Sequence, residues 1–223
     1  MLKLDLHIHS KYSEDGIGSP KEIIKSVRKK GLDGIAITDH NTTKGGLKTL
    51  KIAPKDFVVI PGVEISTKDG HMIALNINKD IPKGLSCEET VDKIINLGGT
   101  PIVPHLFRTM SGIKENKLKN IVNKISAIEV FNSCSVQKSN YKTSKTAKKY
   151  KLGGVGGSDS HIPKYCGLGY TIIDDCELSI DSIISKIEKK KTWGTGNTLP
   201  TDYRGNRMIK IINQFFQRGL KRI

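Results

Sequence analysis

Short runs of apolar and β-branched residues alternate along the chain with segments in which apolar residues recur at helical spacing. This alternation is typical of α/β folds with parallel strands. Because roughly seven or eight strands with intervening helices are predicted, the pattern favours a (β/α) barrel over an open sheet. The clearest predicted strands lie at residues 3–9, 34–38, 57–63, 71–77, 101–104, 127–131 and 154–156.

Two of the predicted helices begin with capping boxes. Ser19 and Glu22 supply the first, with Pro20 at the first helical position, and residues 86–89 repeat the pattern. Further helices are predicted near residues 116–125, 135–150, 179–190 and 206–218. The last of these carries an apolar stripe typical of packing on the barrel, so we expect a single domain over residues 1–223.

The charge balance is strongly basic. Among 223 residues, 37 are basic and 22 acidic, which gives a formal net charge of +15. Such a charge attracts polyanions or phosphorylated substrates. Lysine accounts for 31 of the basic residues, however, and lysine runs such as 142–151 are also typical of solvated helix faces. The charge therefore leaves the class of partner open.

The cysteines and the apolar segments indicate a cytoplasmic protein. The four cysteines form no C-x-x-C pair, which favours free thiols in a reducing compartment. The first residues are predicted to form a strand rather than a secretory core. The longest uncharged stretch, residues 94–107, is shorter than a membrane span requires. We therefore expect no membrane partner.

All six histidines lie at or near the end of a predicted strand. Five of them end or follow apolar strands, whereas the sixth follows the tight turn at Asp69–Gly70, which folds the chain back towards Glu64. Because the strand ends of an α/β barrel open on one face, we expect these side chains to share one pocket. The six are His7, His9, His40, His71, His105 and His161.

Carboxylates accompany the histidines, namely Asp15, Asp39, Glu64 and Asp159. Nitrogen and oxygen donors of this kind suit Zn, Mn or Fe. Their number exceeds the ligands of one catalytic zinc, so two or three divalent metal ions sharing a bridging carboxylate are predicted. Asp39 either ligates a metal or orients a neighbouring histidine, and we favour the second role. Asp5 is also predicted to orient a neighbouring histidine. For His71, the alternative to a metal-ligand role is a structural role.

Other residues near the predicted strand ends are weaker candidates. Arg108, three residues beyond His105, is predicted to hold a substrate phosphate, with a surface arginine as the alternative. Glu129 and Asn132 are candidates to face the pocket. The glycine-rich residues 153–157 lack the spacing of a phosphate loop and are predicted to form a closely packed strand.

Taken together, these motifs resemble the PHP family, the polymerase and histidinol phosphatase domain. They follow one another in the family's order over nearly the whole chain. The matching segments are Asp5-Leu-His-Ile-His-Ser10, Thr38-Asp-His-Asn41, Gly62-Val-Glu-Ile-Ser66, Pro104-His105 and Gly157-Ser-Asp-Ser-His161.

The resemblance implies a distorted (β/α)7 barrel and up to three metal ions. Asp15 stands where many members have histidine, and Leu106 where proline commonly follows the histidine. The resemblance implies three sets of ligands. One ion would be held by His7, His9, Glu64 and Asp159, and Glu64 would bridge to a second ion held by His71 and His105. The third ion would be held by Asp15, His40 and His161.

The leading functional hypothesis is metal-dependent hydrolysis of a phosphomonoester or phosphodiester. A metal-bound hydroxide would attack phosphorus, with Arg108 and Asp39 assisting. The substrate would be a phosphorylated small molecule or a nucleic acid. One alternative is an amidohydrolase-like metal hydrolase, although such enzymes usually use a modified lysine as the bridge. The other alternative is a non-catalytic subunit that binds nucleic acid, which the basic charge favours.

Overall fold

The protein forms an α/β structure whose strands and helices alternate along most of the chain. The computed structural model describes residues 1–201 and 203, so the helix predicted at 206–218 lies outside the described residues. The described strands are β1 (Leu2–Ile8), β2 (Gly34–Ile37), β3 (Val58–Ser66), β4 (His71–Leu75), β5 (Thr100–Val103), β6 (Ala127–Asn132), β7 (Gly153–Gly157), β8 (Gly169–Ile173) and β9 (Thr192–Gly196). The described helices are α1 (Pro20–Lys29), α2 (Lys44–Leu50), α3 (Cys87–Asn96), α4 (Glu115–Ile121), α5 (Gln137–Lys149) and α6 (Ile180–Glu188).

One sheet contains all nine described strands, in the order β7-β6-β5-β4-β3-β2-β1-β8-β9. The pairs β1–β2, β2–β3, β5–β6 and β6–β7 are parallel. Strand β4 is antiparallel to both its neighbours, and so is β8. The distorted α/β barrel is therefore confirmed, and its sheet is of mixed direction.

The ends of the sheet curl towards each other and nearly close the barrel. The hydroxyl of Thr171 in β8 donates to the carbonyl of Gly156 in β7 at 3.0 Å. Thr192 in β9 likewise donates to the carbonyl of Gly154 at 2.9 Å. A Cβ on Gly157 would lie 2.4 Å from the Cβ of His7. The prediction that residues 153–157 form a closely packed strand is confirmed, and this packing positions β1 beside β7.

The helices pack through amphipathic faces, and both predicted capping boxes are present. Helix α1 buries Ile23, Ile24 and Val27. Burial of such apolar surface is the main favourable contribution to folding. Helix α6 packs with Leu4 of β1 and Val155 of β7 in another part of the core. The helices thereby fix the strands whose ends carry the histidines.

The sequence pattern does not predict one of the helices and two of the strands in the structure. Helix α2 contains Gly45 and Gly46, which weaken its helical pattern. The structure explains both glycines, because a Cβ on Gly45 would clash with the Asp39 carboxylate and one on Gly46 would lie 2.9 Å from the Cα of Pro61. The antiparallel strands β8 and β9 are rich in glycine and threonine, without the long apolar run of the other strands.

Candidate metal centre

Six imidazoles and three carboxylates meet at one end of the barrel. The ring centroids of His9 and His161 are 4.1 Å apart, and those of His9 and His40 are 4.5 Å apart. The structure thus brings together all nine side chains that the sequence analysis nominated as metal ligands. They are His7, His9, Asp15, His40, Glu64, His71, His105, Asp159 and His161.

Glu64 lies at the middle of this cluster and is 1% exposed. Its Oε1 is 2.9 Å from His71 Nδ1 and 2.9 Å from His105 Nε2. Its Oε2 lies 3.2 to 3.4 Å from nitrogens of three further rings, those of His7, His9 and His40. A carboxylate whose two oxygens face different imidazoles has the geometry of a bridging ligand.

The hairpin between β3 and β4 brings His71 to Glu64. Ser66 in β3 pairs with His71 in β4, and Gly70 in the connecting turn has a φ of 137°, a conformation that favours glycine. The predicted turn at Asp69–Gly70 is therefore confirmed. It places a histidine at the beginning of β4 rather than at a strand's end.

His7 and His9 lie on the same side of β1, as the period of two along a strand predicts. Their Nε2 atoms are 3.1 Å apart. The Oδ1 of Asp159, which follows β7, is 3.7 Å from the His7 nitrogen and 3.5 Å from the His9 nitrogen. Together with Glu64, these groups form a buried set of nitrogen and oxygen donors.

A second set of donors lies on the other side of His9. His161 Nε2 is 2.7 Å from Asp15 Oδ2, and His40 Nε2 is 3.7 Å from the same oxygen. Ser13 donates a hydrogen bond of 3.0 Å to the other oxygen of Asp15. Asp15 therefore joins the cluster at the position where the resembling family often has histidine.

Burial and charge together set the protonation of the cluster. Burial disfavours the charged form of His9, but hydrogen bonds to Asp159 and Glu64 outweigh it and raise its pKa to about 9. Burial, with the Arg108 charge in support, lowers the pKa of His105 to about 4. The pKa of Glu64 is well below its usual range because nearby imidazoles outweigh its burial. An ionised, buried carboxylate among imidazoles attracts cations.

Two of the cluster residues have unusual backbone conformations. His105 has a φ of 27° and Asp159 a φ of 51°. Such angles are uncommon for residues with a Cβ and are found at sites where the surrounding structure holds them. Of the seven described non-glycine residues with a positive φ, two therefore belong to the cluster.

Glu129 of β6 holds two of the ligand candidates in place. Its Oε1 is 3.0 Å from His7 Nδ1, and its Oε2 accepts a hydrogen bond of 2.9 Å from the backbone N–H of His105. Asn132 donates to the same Oε2 at 2.8 Å. The sequence indicates Glu129 only as a candidate to face the pocket, because it lies 122 positions after His7 and no local pattern shows their contact.

Arg108 lies beside the cluster, and its side chain is 26% exposed. Its guanidinium pairs with Asp159 and donates a hydrogen bond of 3.0 Å to Asn132 Oδ1. A turn after β5 positions Arg108 beside the cluster, and in this turn the backbone N–H of Arg108 donates to the carbonyl of His105. Leu106, which replaces the family's usual proline, packs into the core.

Asp39 and Asp5 contact backbone and hydroxyl groups instead of imidazoles. Asp39 accepts hydrogen bonds from the N–H and the hydroxyl of Ser10 at 2.6 and 2.8 Å. Asp5 accepts from the N–H groups of His7, Ser158 and Gly167, and its burial raises its pKa to about 6. The expectation that Asp5 and Asp39 orient imidazoles is corrected, because Asp5 ties β1 to the loop after β7 and Asp39 binds Ser10.

The residues present fit divalent metal ions. Among the described residues, the buried Nδ1 of His40 has no hydrogen-bond partner, although it lies 3.3 Å from Glu64 Oε2. A buried polar atom without a partner is costly, and an imidazole left in this way beside a carboxylate fits a site that binds a cation. Imidazole nitrogens and carboxylate oxygens are also donors that Zn, Mn and Fe accept.

The barrel and its cluster of donors define an α/β barrel with a candidate metal centre at one end. The model of the PHP domain family matches residues 5–192, and the chain belongs to this family. None of the described helices is long and apolar enough to cross a membrane.

Known proteins similar in sequence include the following two. The uncharacterized protein MJ1587 of Methanocaldococcus jannaschii is 41% identical over 143 residues, which cover 59% of this chain and 82% of the relative. A 5'-3' exoribonuclease of Haemophilus influenzae is 40% identical over 87 residues, which cover 36% of this chain and 31% of the relative.

Solved structures that share the fold include the following two. The first is a two-domain protein from Bacteroides vulgatus containing a predicted PHP-like metal-dependent phosphoesterase, with a TM-score of 0.74 and 19% identity. The match covers 88% of this chain and 65% of that one. The second is the lesion-specific endonuclease PfuEndoQ from Pyrococcus furiosus, with a TM-score of 0.67, 18% identity, and coverage of 84% of this chain and 56% of that one. At these identities the likeness shows the fold alone.

Proposed function

We propose that the protein is a metal-dependent phosphoesterase. The observation that carries the proposal is the Glu64 carboxylate, which lies within 3.4 Å of nitrogens from five different imidazoles. Membership of the PHP family, and the phosphoesterase and nucleases among its relatives and structural neighbours, support hydrolysis of phosphoester bonds in general.

Two or three divalent ions, of Zn, Mn or Fe, are the proposed cofactors. When bound, such ions acidify water and polarise phosphoryl oxygens. The first set of donors is His7, His9, Glu64 and Asp159, the second is Glu64, His71 and His105, and the third is Asp15, His40 and His161. The short distances within each set support this assignment.

Residues around the cluster orient the ligands and bind the substrate. Glu129 accepts a hydrogen bond from the Nδ1–H of His7, which leaves the His7 Nε2 lone pair directed at the cluster. Arg108 carries the positive charge that would bind a phosphate oxygen beside Asp159. Asp39 acts through Ser10, because its hydrogen bonds to Ser10 fix the loop that follows β1.

The two alternatives account for fewer of these contacts. An amidohydrolase-like enzyme usually bridges its metals with a modified lysine, whereas here a glutamate occupies the centre of the cluster. A non-catalytic subunit that binds nucleic acid would need no complete set of ligands, and nine ligand candidates are present.

We also propose a reducing, cytoplasmic setting, which the four free thiols support.

A panel of substrates tests the proposal. We expect the protein, supplied with Mn²⁺ or Zn²⁺, to hydrolyse at least one of p-nitrophenyl phosphate, bis(p-nitrophenyl) phosphate, nucleoside monophosphates, histidinol phosphate and oligonucleotides. An amide and a lactone serve as controls for the amidohydrolase alternative. Hydrolysis of the amide or lactone without any phosphoester cleavage would contradict the proposal, and so would no hydrolysis by metal-loaded protein.

A further inference from the structure

The outer face of helix α5 is a continuous basic stripe. Its five lysines and Tyr141 lie within about 120° around the helix axis, at 100° per residue, and all are exposed. The helix contains no acidic residue. Three of its four buried residues, Asn140, Thr143 and Ala147, lie on the opposite face, and the fourth, Thr146, lies beside the stripe. The stripe consists of Lys138, Tyr141, Lys142, Lys145, Lys148 and Lys149.

Aromatic rings alternate with these lysines. Tyr141 is 62% exposed, and Lys145 Nζ lies 4.6 Å from the centre of its ring. Lys148 Nζ lies 5.9 Å from the ring of Trp193, which is 38% exposed. Lys142 Nζ lies 3.9 Å from the half-buried ring of Phe107. Each ring therefore has a cation beside it.

The stripe begins next to the metal centre. Phe107 directly precedes Arg108, whose guanidinium donates to Asn132 Oδ1. Asn132 and Asn140 in turn exchange two hydrogen bonds of 3.1 Å between their backbone and side-chain groups. Helix α5 is thus fixed to the strand end that supports Arg108, and a ligand lying on the stripe would extend to the cluster.

The charges of the stripe are largely uncompensated. Lys149 pairs with Glu115 at 2.7 Å. Within the described part of the chain, no carboxylate forms an ion pair with the other four lysines. The exposed rings of Tyr141 and Trp193 add a stacking surface to the lysines, which a face of lysines alone does not offer.

We propose that this stripe, with Phe107 and Trp193, binds single-stranded nucleic acid and leads it to the metal centre. Lysines in a row contact backbone phosphates, and exposed rings stack on unpaired bases. A duplex hides its bases, so the rings favour a single strand. The 13 residues of α5 span about 20 Å, enough for several phosphates. This inference rests on the proposed function, for which it names the substrate class.

Oligonucleotide binding to the full chain in EDTA tests this inference without hydrolysis. The probes are fluorescein-labelled DNA and RNA strands of about twelve nucleotides, measured by anisotropy at several salt concentrations. We expect Lys142→Gln/Lys145→Gln to weaken binding about tenfold or more, and to reduce the slope of log affinity against log salt by about 1.4. Tyr141→Ala should weaken binding about tenfold, whereas Tyr141→Phe should retain it.

The matched control is Lys21→Gln/Lys25→Gln, which removes the same charge from the exposed face of α1. Glutamine and lysine have similar helix propensities, so both double variants should stay folded by circular dichroism. Equal binding by the two double variants would overturn the inference, and so would equal affinity for a duplex of the same length. The proposed function is tested separately, by wild-type hydrolysis of bis(p-nitrophenyl) phosphate. Failure of the inference, which changes oligonucleotide binding, is therefore distinguishable from failure of the proposed function, which changes hydrolysis.

Discussion

Replacing Glu64 by glutamine is expected to lower the rate of phosphoester hydrolysis by about a thousandfold or more. Metal ions contribute several kcal/mol to stabilising a transition state, and each 1.36 kcal/mol corresponds to a factor of ten. Glutamine keeps the size of Glu64 but removes its charge. Its amide nitrogen cannot accept a hydrogen bond from His71 or His105, and it cannot act as a metal ligand beside them. The measurement is kcat/KM on a p-nitrophenyl ester, with the bound metal counted by mass spectrometry.

Glu177→Gln is the control, since Glu177 is an exposed carboxylate away from the cluster. It should retain the wild-type rate and metal content. Circular dichroism should show that both variants are folded. The proposed bridging role of Glu64 would be wrong if the Glu64→Gln protein bound as much metal as wild type and kept a rate within tenfold of the wild-type rate.

The second large effect is expected at Glu129, which is not itself proposed to bind metal. Glu129→Gln should weaken metal affinity or activity by 10- to 100-fold, the usual cost of losing the partner of a metal-bound histidine. The carboxylate accepts from His7 Nδ1 and thereby fixes which nitrogen faces the cluster. A metal titration of the variant against a chromogenic chelator gives the affinity directly.

Glu188→Gln provides a comparison from the other end of the barrel. Glu188 accepts a hydrogen bond from Thr100, at the beginning of the same strand β5 that ends beside His105. Its loss should leave metal affinity unchanged. If the two variants bind metal equally well, Glu129 serves only the packing of the barrel.

Local patterns predicted the features that depend on neighbouring residues. The period of a strand placed His7 and His9 on one side, and the Asp69–Gly70 turn returned His71 to Glu64. The capping boxes at Ser19 and Ser86 likewise depend on residues three positions apart, and both are present. Such short-range geometry is set by the backbone itself.

Contacts between distant residues could not be predicted in this way. Nothing near Glu129 in the sequence indicates that it reaches His7, and Asp5 binds N–H groups contributed by loops more than 150 residues away. Helix α2 was missed because its glycines are required by tertiary contacts, with Asp39 and Pro61, that outweigh their low helix propensity. Tertiary packing determined each of these outcomes.

The most direct test of a metal-dependent phosphoesterase is a titration of metal-free protein with Mn²⁺ or Zn²⁺, following bound metal and hydrolysis together. We expect no turnover without metal, a rate that rises as two or three ions bind per chain, and no measurable rate at any metal concentration for His9→Ala. Turnover by the metal-free protein, or a His9→Ala variant as active as wild type, would contradict it.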